Sequence, residues 1–265
     1  MGHNLLAGKK GIIFGALDEM SIAWKVAERA KEEGADILLT NAPVALRMGK
    51  IQDLAEKTGA EIIPADATSM EDIGALLDAA EKAFGKLDFV LHSIGMSPNV
   101  RKKRTYTNLN YSWLEKTLDV SAVSFHKILQ ALYERELMNE WGSVLALTYI
   151  AAQRTFPKYG DMADAKALLE SITRSFGYHF GKKAKVRVNS ISQSPTPTTA
   201  GTGVAGFDKM LEYGEKVSPL GNATADECAD YCISLFSDYT RKVTMQNLFH
   251  DGGFSNMGIA EEMLG

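Results

Sequence analysis

Short apolar runs alternate with longer amphipathic stretches along almost the whole chain, and no other feature constrains the fold as much. The runs "KGIIFG" (10–15), "ADILLT" (35–40), "AEIIPAD" (60–66), "LDFVLHS" (87–93), "GSVLALTY" (142–149), "KVRVNSI" (185–191) and "TMQNLFHDGG" (244–253) read as strands. Helical spacing marks 21–34, 46–58, 69–85, 112–136, 159–181 and 224–237; in the first of these Ile22, Val26 and Ala30 share a face and Gly34 ends it. Strand and helix in alternation predict a parallel sheet covered by helices on both faces. Such strands are apolar on both sides, so they read as runs and not as strict alternations. No linker, repeat or low-complexity block interrupts the pattern. The expectation is an α/β fold of Rossmann type: one doubly wound parallel sheet, a single domain over residues 1–265.

Composition narrows the function. The chain is 45% hydrophobic and 23% charged, with a net charge of −4, so it buries a large core but offers no basic surface for nucleic acid. Its first fifteen residues hold no long apolar run, which argues against a signal peptide or membrane span. Cys228 and Cys232 lie one helical turn apart without further ligands nearby, and the five histidines are scattered. Structural thiols, no metal and a cytoplasmic location are expected.

Ligands of such sheets sit beyond the carboxyl ends of the strands. Gly15, Thr40, Asp66, Ser93, Tyr149 and Ser192 all follow predicted strands. In "FGALDEMSIA", Gly15 allows close approach and Ser21 opens a helix whose N-terminus suits a pyrophosphate. A plain strand–helix turn reads equally well. Asp66 is placed to accept from an adenine amino group or to signal a helix start. Gly95 permits approach of a ribose, and His92 is expected half-buried in its strand. In "YIAAQRTFPKYGDMADAKALLES", Tyr159 and Lys166 are seven residues apart, two turns of the predicted helix, and so share a face. A cation there lowers a phenol's pKa and equips it to bond an enolate and relay a proton. Tyr149 is placed to face the same site. The alternative is two core tyrosines and a solvated lysine.

The order Gly15-x5-Ser21-Ile22-Ala23, Asp66, Ser93-Ile94-Gly95, Tyr149-x9-Tyr159-x6-Lys166, then "SPTPTTAGTG" and Asp251-Gly252-Gly253, resembles the bacterial enoyl-acyl-carrier-protein reductases, a divergent branch of the short-chain dehydrogenases. The likeness spans nearly the whole chain. Ordinary short-chain dehydrogenases carry Tyr-x3-Lys and a serine thirteen residues before the tyrosine; this chain has Ala163 and Ala146 at those positions.

The resemblance implies hydride transfer from NADH or NADPH to C3 of a trans-2-enoyl thioester. Tyr159 would bond the thioester oxygen, Lys166 the nicotinamide ribose, and Tyr149 would shape the site. Gly15, Ser21 and Ile22 would meet the cofactor phosphates, Asp66 and Ala67 the adenine, and Ser93, Ile94 and Gly95 the ribose side. Thr196, Thr198, Thr199 and Ala200 would run along nicotinamide and pyrophosphate. Residues 194–216 would form a lid over an acyl pocket built from Met96, Ser97, Met162, Phe207 and Met210. The substrate would arrive on acidic acyl carrier protein, which the run "RKKR" (101–104) and Lys209 are placed to meet. "TNAPVALR" after the second strand has no acid and no basic pair, which favours NADH and leaves NADPH open. A homotetramer is implied. Another short-chain dehydrogenase acting on a carbonyl or alcohol, and a silent dinucleotide-binding regulator, are the alternatives; Ala146, the x6 spacing and the intact Tyr149, Tyr159 and Lys166 argue against them.

Overall fold

A computed structural model of the chain describes residues 2–199 and 201–261. Seven strands form one parallel sheet: β1 (Lys10–Phe14), β2 (Asp36–Thr40), β3 (Glu61–Ile62), β4 (Leu87–His92), β5 (Met138–Thr148), β6 (Arg187–Gln193) and β7 (Asn247–His250). Their order is β3-β2-β1-β4-β5-β6-β7. The chain winds outward from β1 to β3, then crosses back to β4 and winds the other way. The reversal opens a crevice at the carboxyl ends of β1 and β4, where this architecture places its ligands.

The helices are α1 (Ile22–Glu32), α2 (Pro43–Met48), α3 (Ile51–Thr58), α4 (Met70–Phe84), α5 (Pro98–Arg101), α6 (Tyr111–Leu118), α7 (Ser124–Glu134), α8 (Met162–Ala184), α9 (Phe207–Val217) and α10 (Ala225–Phe236). Strands β1, β2, β4, β5 and β6 each feed two cores. Ile12, Phe14, Val90, Val144 and Val188 pack towards α4, α7 and α8, while Ile13, Leu39, Leu91, Leu145 and Ile191 pack towards α1, α3 and α10. Successive side chains point to opposite faces, and both faces are covered, which is why the strands read as unbroken apolar runs. Cys228 and Cys232 are free, buried thiols in the second core.

Several boundaries differ from expectation. The helix predicted over 46–58 is two helices, because Gly49 is extended between α2 and α3. The third strand is only two residues long, since Pro64 follows it closely and cannot donate to a ladder. The stretch at 112–136 is α6 and α7 joined by a π-helical turn, Asp119–Val123. The helix expected from 159 begins at Met162, so Tyr159 precedes it. No helix among the described residues is long and apolar enough to cross a membrane.

Candidate active site

The floor of the crevice is set by Gly15. Its φ is +97°, and a β-carbon there would stand 2.1 Å from the Ser93 carbonyl oxygen and 3.6 Å from Ile94 Cγ1. Only glycine lets the turn after β1 pass the loop after β4 so closely. Ser21 opens α1, but its hydroxyl donates to Asp18 O at 2.7 Å and accepts from Leu17 N at 3.2 Å. That hydroxyl stabilises the turn itself, which leaves the first N–H groups of α1 as the donors for an anion. Ile22 is part of the core.

Asp66 and Ala67 lie beyond β3. Asp66 accepts from Thr68 N at 2.9 Å and Thr68 Oγ1 at 2.7 Å, so one of its oxygens closes a turn; Ala67 is buried. Ser69, not Asp66, caps α4 by accepting from Asp72 N.

Lys166 is buried on α8 and donates to Leu147 O at 2.7 Å. An ammonium has two further protons to offer. Gly95 and the start of α8 face each other: a β-carbon at 95 would lie 3.4 Å from Met162 Cε and 3.7 Å from Lys166 Nζ. Met96 exchanges backbone hydrogen bonds with Ser121 Oγ at 2.9 and 3.1 Å, and Ser121 also reaches Met162 Sδ at 3.7 Å. The π-helical turn thereby joins the same wall. Burial pushes the Lys166 amine down to about 8, against a smaller opposing pull from Glu170.

Tyr149 and Tyr159 stack at a ring separation of 5.1 Å with a 49° tilt, so the structure brings the two phenols together. Tyr149 is buried and its hydroxyl has no protein partner. Tyr159 is half-buried, and desolvation is what shifts its phenol. Two expectations need correction here. Tyr159 and Lys166 do not share a helix face, because Tyr159 lies in the turn before α8, where Gly160 has φ +55°. Nor is the phenol acidified: burial raises both tyrosines, and no cation offsets it at Tyr159. Both are neutral hydrogen-bond donors at neutral pH.

His92 is fully buried, not half-buried, at the end of β4. Its Nε2 lies 2.9 Å from Ser124 Oγ, and that hydroxyl donates to Val120 O, so Nε2 carries the proton. Burial, with Lys166 nearby, holds the imidazole down to about 3.

The segment after β6 covers this floor. Thr196 Oγ1 donates to Ser194 O at 3.0 Å, Thr198 Oγ1 accepts from Gly201 N at 2.9 Å, and Thr199 Oγ1 donates to Asp18 in the turn after β1. Ala200 lies outside the described residues. Between this segment and Tyr149 is a cavity of about 580 Å3, walled by Tyr149, Phe156, Met210, Tyr213 and Phe254, with Arg154, Lys158 and Lys209 also lining it. Among the five residues expected to line an acyl pocket, Met210 does so. Met96 and Met162 belong to the wall beside Lys166, and Phe207 packs beneath Gly201. Ser97 caps α5, and its hydroxyl is engaged on both sides, accepting from Val100 N at 3.0 Å and donating to Asp161 at 2.6 Å.

Sequence reasoning missed Asp18, Asp161, Phe156 and the cavity wall at 254–259. Asp161 carried a weak signal, an acid among the first residues of a helix, but such residues are usually solvated caps. The others have no local signature. Among the described residues, no cluster of His, Cys, Asp and Glu is placed to hold a metal.

Residues 15–255 match a family model described as enoyl-(acyl carrier protein) reductase. A crystal structure of a FabI–NADH complex from Alistipes finegoldii is 63% identical, covering 97% of this chain and 92% of that one, with a TM-score of 0.96. An enoyl-[acyl-carrier-protein] reductase [NADH] of Rhizobium meliloti is 34% identical across 96% of this chain and 94% of its own length. The Bacillus cereus enoyl-acyl carrier protein reductase, crystallised with NADP+ and indole naphthyridinone, superposes with a TM-score of 0.90 at 28% identity, over 98% of this chain and all of that one.

Proposed function

The chain belongs to the enoyl-(acyl carrier protein) reductase family and is an NADH-dependent reductase of fatty-acid synthesis, and from that premise we propose that Tyr159 and Lys166 carry its reaction. The carrying observation is their setting. A neutral phenol and a buried ammonium stand at the carboxyl edge of the sheet, beside a largely apolar cavity of about 580 Å3.

The residues fit a dinucleotide. Thr40 Oγ1, Ser192 Oγ and Tyr149 Oη are buried at the carboxyl ends of their strands without protein partners, and Gly15 keeps the crevice clear of side chains. Gly15 and the N-terminus of α1 at Ser21 and Ile22 would take the phosphates, Asp66 and Ala67 the adenine, and Ser93, Ile94 and Gly95 the ribose. Thr196, Thr198 and Thr199 would line the nicotinamide side. Bound NADH would supply a hydride to C3 of the trans-2-enoyl thioester; the C=C electron pair moves onto the thioester oxygen as an enolate, which then takes a proton at C2 to give the saturated thioester.

Tyr159 donates to the thioester oxygen as negative charge gathers there; a neutral phenol is a stronger donor to an enolate than to the resting carbonyl, so the bond favours the transition state. Lys166, anchored on Leu147 O, offers its remaining protons to the ribose hydroxyls and its charge to the site. Tyr149 packs the Tyr159 ring in place. Ala146 is fully buried hydrocarbon where a carbonyl-reducing relative would need a hydroxyl, which favours C=C over C=O reduction.

NADH oxidation with a short trans-2-enoyl thioester, beside a 3-ketoacyl thioester and the Tyr159→Phe variant, tests the assignment. Turnover of the enoyl substrate alone is expected, with Tyr159→Phe still binding NADH but reduced about 10²–10⁴-fold in rate. Near-normal turnover by that variant would remove Tyr159 from the role.

Residues 194–216 act as a lid on a single catalytic domain, Met210 and Phe207 moving with it. The carrier protein docks on Arg101 to Arg104 and Lys209; Arg101, Lys102 and Lys103 are exposed and make no ion pair among the described residues. Neutralising 101–104 should raise KM for a carrier-linked substrate and leave a free thioester unaffected. A homotetramer is supported by exposed apolar side chains on two segments, Leu168 and Tyr178 on α8 and Phe249, Met257 and Ile259 near the C-terminus. Light scattering on Tyr178→Glu, expected to give smaller species, tests it. Buried, unpaired thiols fit a cytoplasmic location.

A further inference from the structure

Asp161 is fully buried, and among the described residues no Lys, Arg or His lies within ion-pair distance of it. It stands at the N-cap of α8, yet its carboxylate makes no bond to its own helix. It turns outward instead. Oδ1 accepts from Ser97 Oγ at 2.6 Å, and Oδ2 accepts from Asn99 Nδ2 at 2.8 Å. Thr117 Oγ1 lies 2.9 Å from Oδ2 and 2.8 Å from Trp113 O, so its one proton serves both.

Behind these donors stands a second layer. Asn99 donates to Asn110 O at 3.1 Å and accepts from Asn110 N at 3.0 Å, and Asn110 caps α6. Ser97 caps α5. One charge thus organises the loop after β4, both short helices that follow it, and the start of α8. Removing a carboxylate from water without a counter-ion is costly, and an apolar side chain would pack the same space without that penalty. The positive end of the 23-residue α8 offsets part of the cost.

The location supplies the reason for keeping it. Tyr159 is two residues before Asp161, and Gly95 is two residues before Ser97. The two strips of chain lie side by side with a contact at each end: Asp161 to Ser97, and Met162 with Lys166 to Gly95. We propose that Asp161 is a positioning residue for the reductase reaction, its buried carboxylate tying the loop after β4 to the start of α8 and so setting the distance between the cofactor-facing wall, residues 93–97, and Tyr159 with Lys166. The proposal rests on the roles given to Tyr159 and Lys166 above.

The test uses the full-length enzyme, a short trans-2-enoyl thioester and NADH. Asp161→Asn keeps the shape but turns one acceptor into a donor facing Ser97 or Asn99. Misplacement by a fraction of an ångström is enough to lower kcat about tenfold or more and raise KM for NADH about threefold. Adding Asn99→Asp returns an acceptor to the new amide but loses the bond that Asn99 gives Asn110 O, so only part of the lost rate, about a third, should return. Rates are taken per NADH-binding site, counted by cofactor fluorescence, so a loss of folded protein does not mimic the effect. If Asp161→Asn keeps kcat and KM for NADH within twofold, the proposal fails, whatever happens to Tm. Should that variant not fold, Thr117→Val removes one donor only; a lower Tm with unchanged kcat would then overturn the proposal. Tyr159→Phe measured alongside separates the two readings. An active Tyr159→Phe sinks the site assignment, whereas an inactive Tyr159→Phe beside a normal Asp161→Asn sinks this proposal alone.

Discussion

The floor of the site and the segment that covers it are built differently. On the floor, residues 161–170 at the start of α8 carry four charged side chains, and three of them are buried: Asp161, Lys166 and Glu170. Each is held by hydrogen bonds from other elements, Glu170 by Thr148 at 3.0 Å, Gln153 at 2.9 Å and Asn247 at 3.1 Å. Across 201–217 only Phe207, Gly214 and Val217 are buried, and the ion pairs of α9, Lys209 and Lys216 with Glu212, lie in solvent. Exposed pairs of this kind contribute little. The buried charges of the floor are fixed by contacts that open only when the fold opens, while the covering segment has few such contacts.

Substitution breaks or sharpens the contrast. The widest gap should separate Tyr159→Phe, losing about 10²–10⁴-fold in kcat, from Met210→Ala in the cover, which should change kcat for a short thioester by less than about threefold and act mainly on KM for longer chains. Equal losses would erase the distinction. Gly15→Ala should be nearly as severe. Its β-carbon meets the Ser93 carbonyl and its positive φ adds strain, together at least about 1–3 kcal/mol, read as lower Tm and lost NADH binding.

Two pH effects belong to the floor. The Lys166 amine, lowered to about 8, is charged below that value and neutral above it, so kcat/KM should fall as pH rises through about 8. A limb that stays near the ordinary lysine value would mean the buried amine is better solvated than its surroundings imply. His92 is neutral in the fold down to about pH 3 but protonates near 6.5 once unfolded. Between those values the unfolded state binds the extra proton, so stability falls as pH falls, by up to about 1.4 kcal/mol per pH unit. Denaturation of His92→Gln should have a flatter dependence over that window. The smallest effect is expected in the cover: Thr199→Ala removes its bond to Asp18 and should quicken proteolysis within 194–216 without NADH, leaving Tm within about 1 °C.

Much of this was legible without coordinates. Strand and helix alternation specified the sheet, because a strand's two-residue period and a helix's 3.6-residue period are set by neighbours in sequence. Gly15, Ser93 and Lys166 could be placed at strand ends or on α8 by counting along the chain, and the spacing of Tyr149, Tyr159 and Lys166 carried the family. The same counting misplaced Tyr159 on a helix, because the break at Gly160 costs little locally and α8 is stabilised by packing from Met162 onward.

Tertiary structure decided what depends on distant partners. It determined that burial, not a cation, governs the tyrosines, that residues 254–259 wall the cavity, and that Asp161 is a clamp and not a solvated cap. Asp161 meets Ser97 across 64 residues of sequence, and Asn247 meets Glu170 across 77. Local periodicity says which face of an element is apolar. It cannot say which polar groups from other elements arrive to meet a buried charge, and that meeting determines whether the charge is tolerated and what it holds in place.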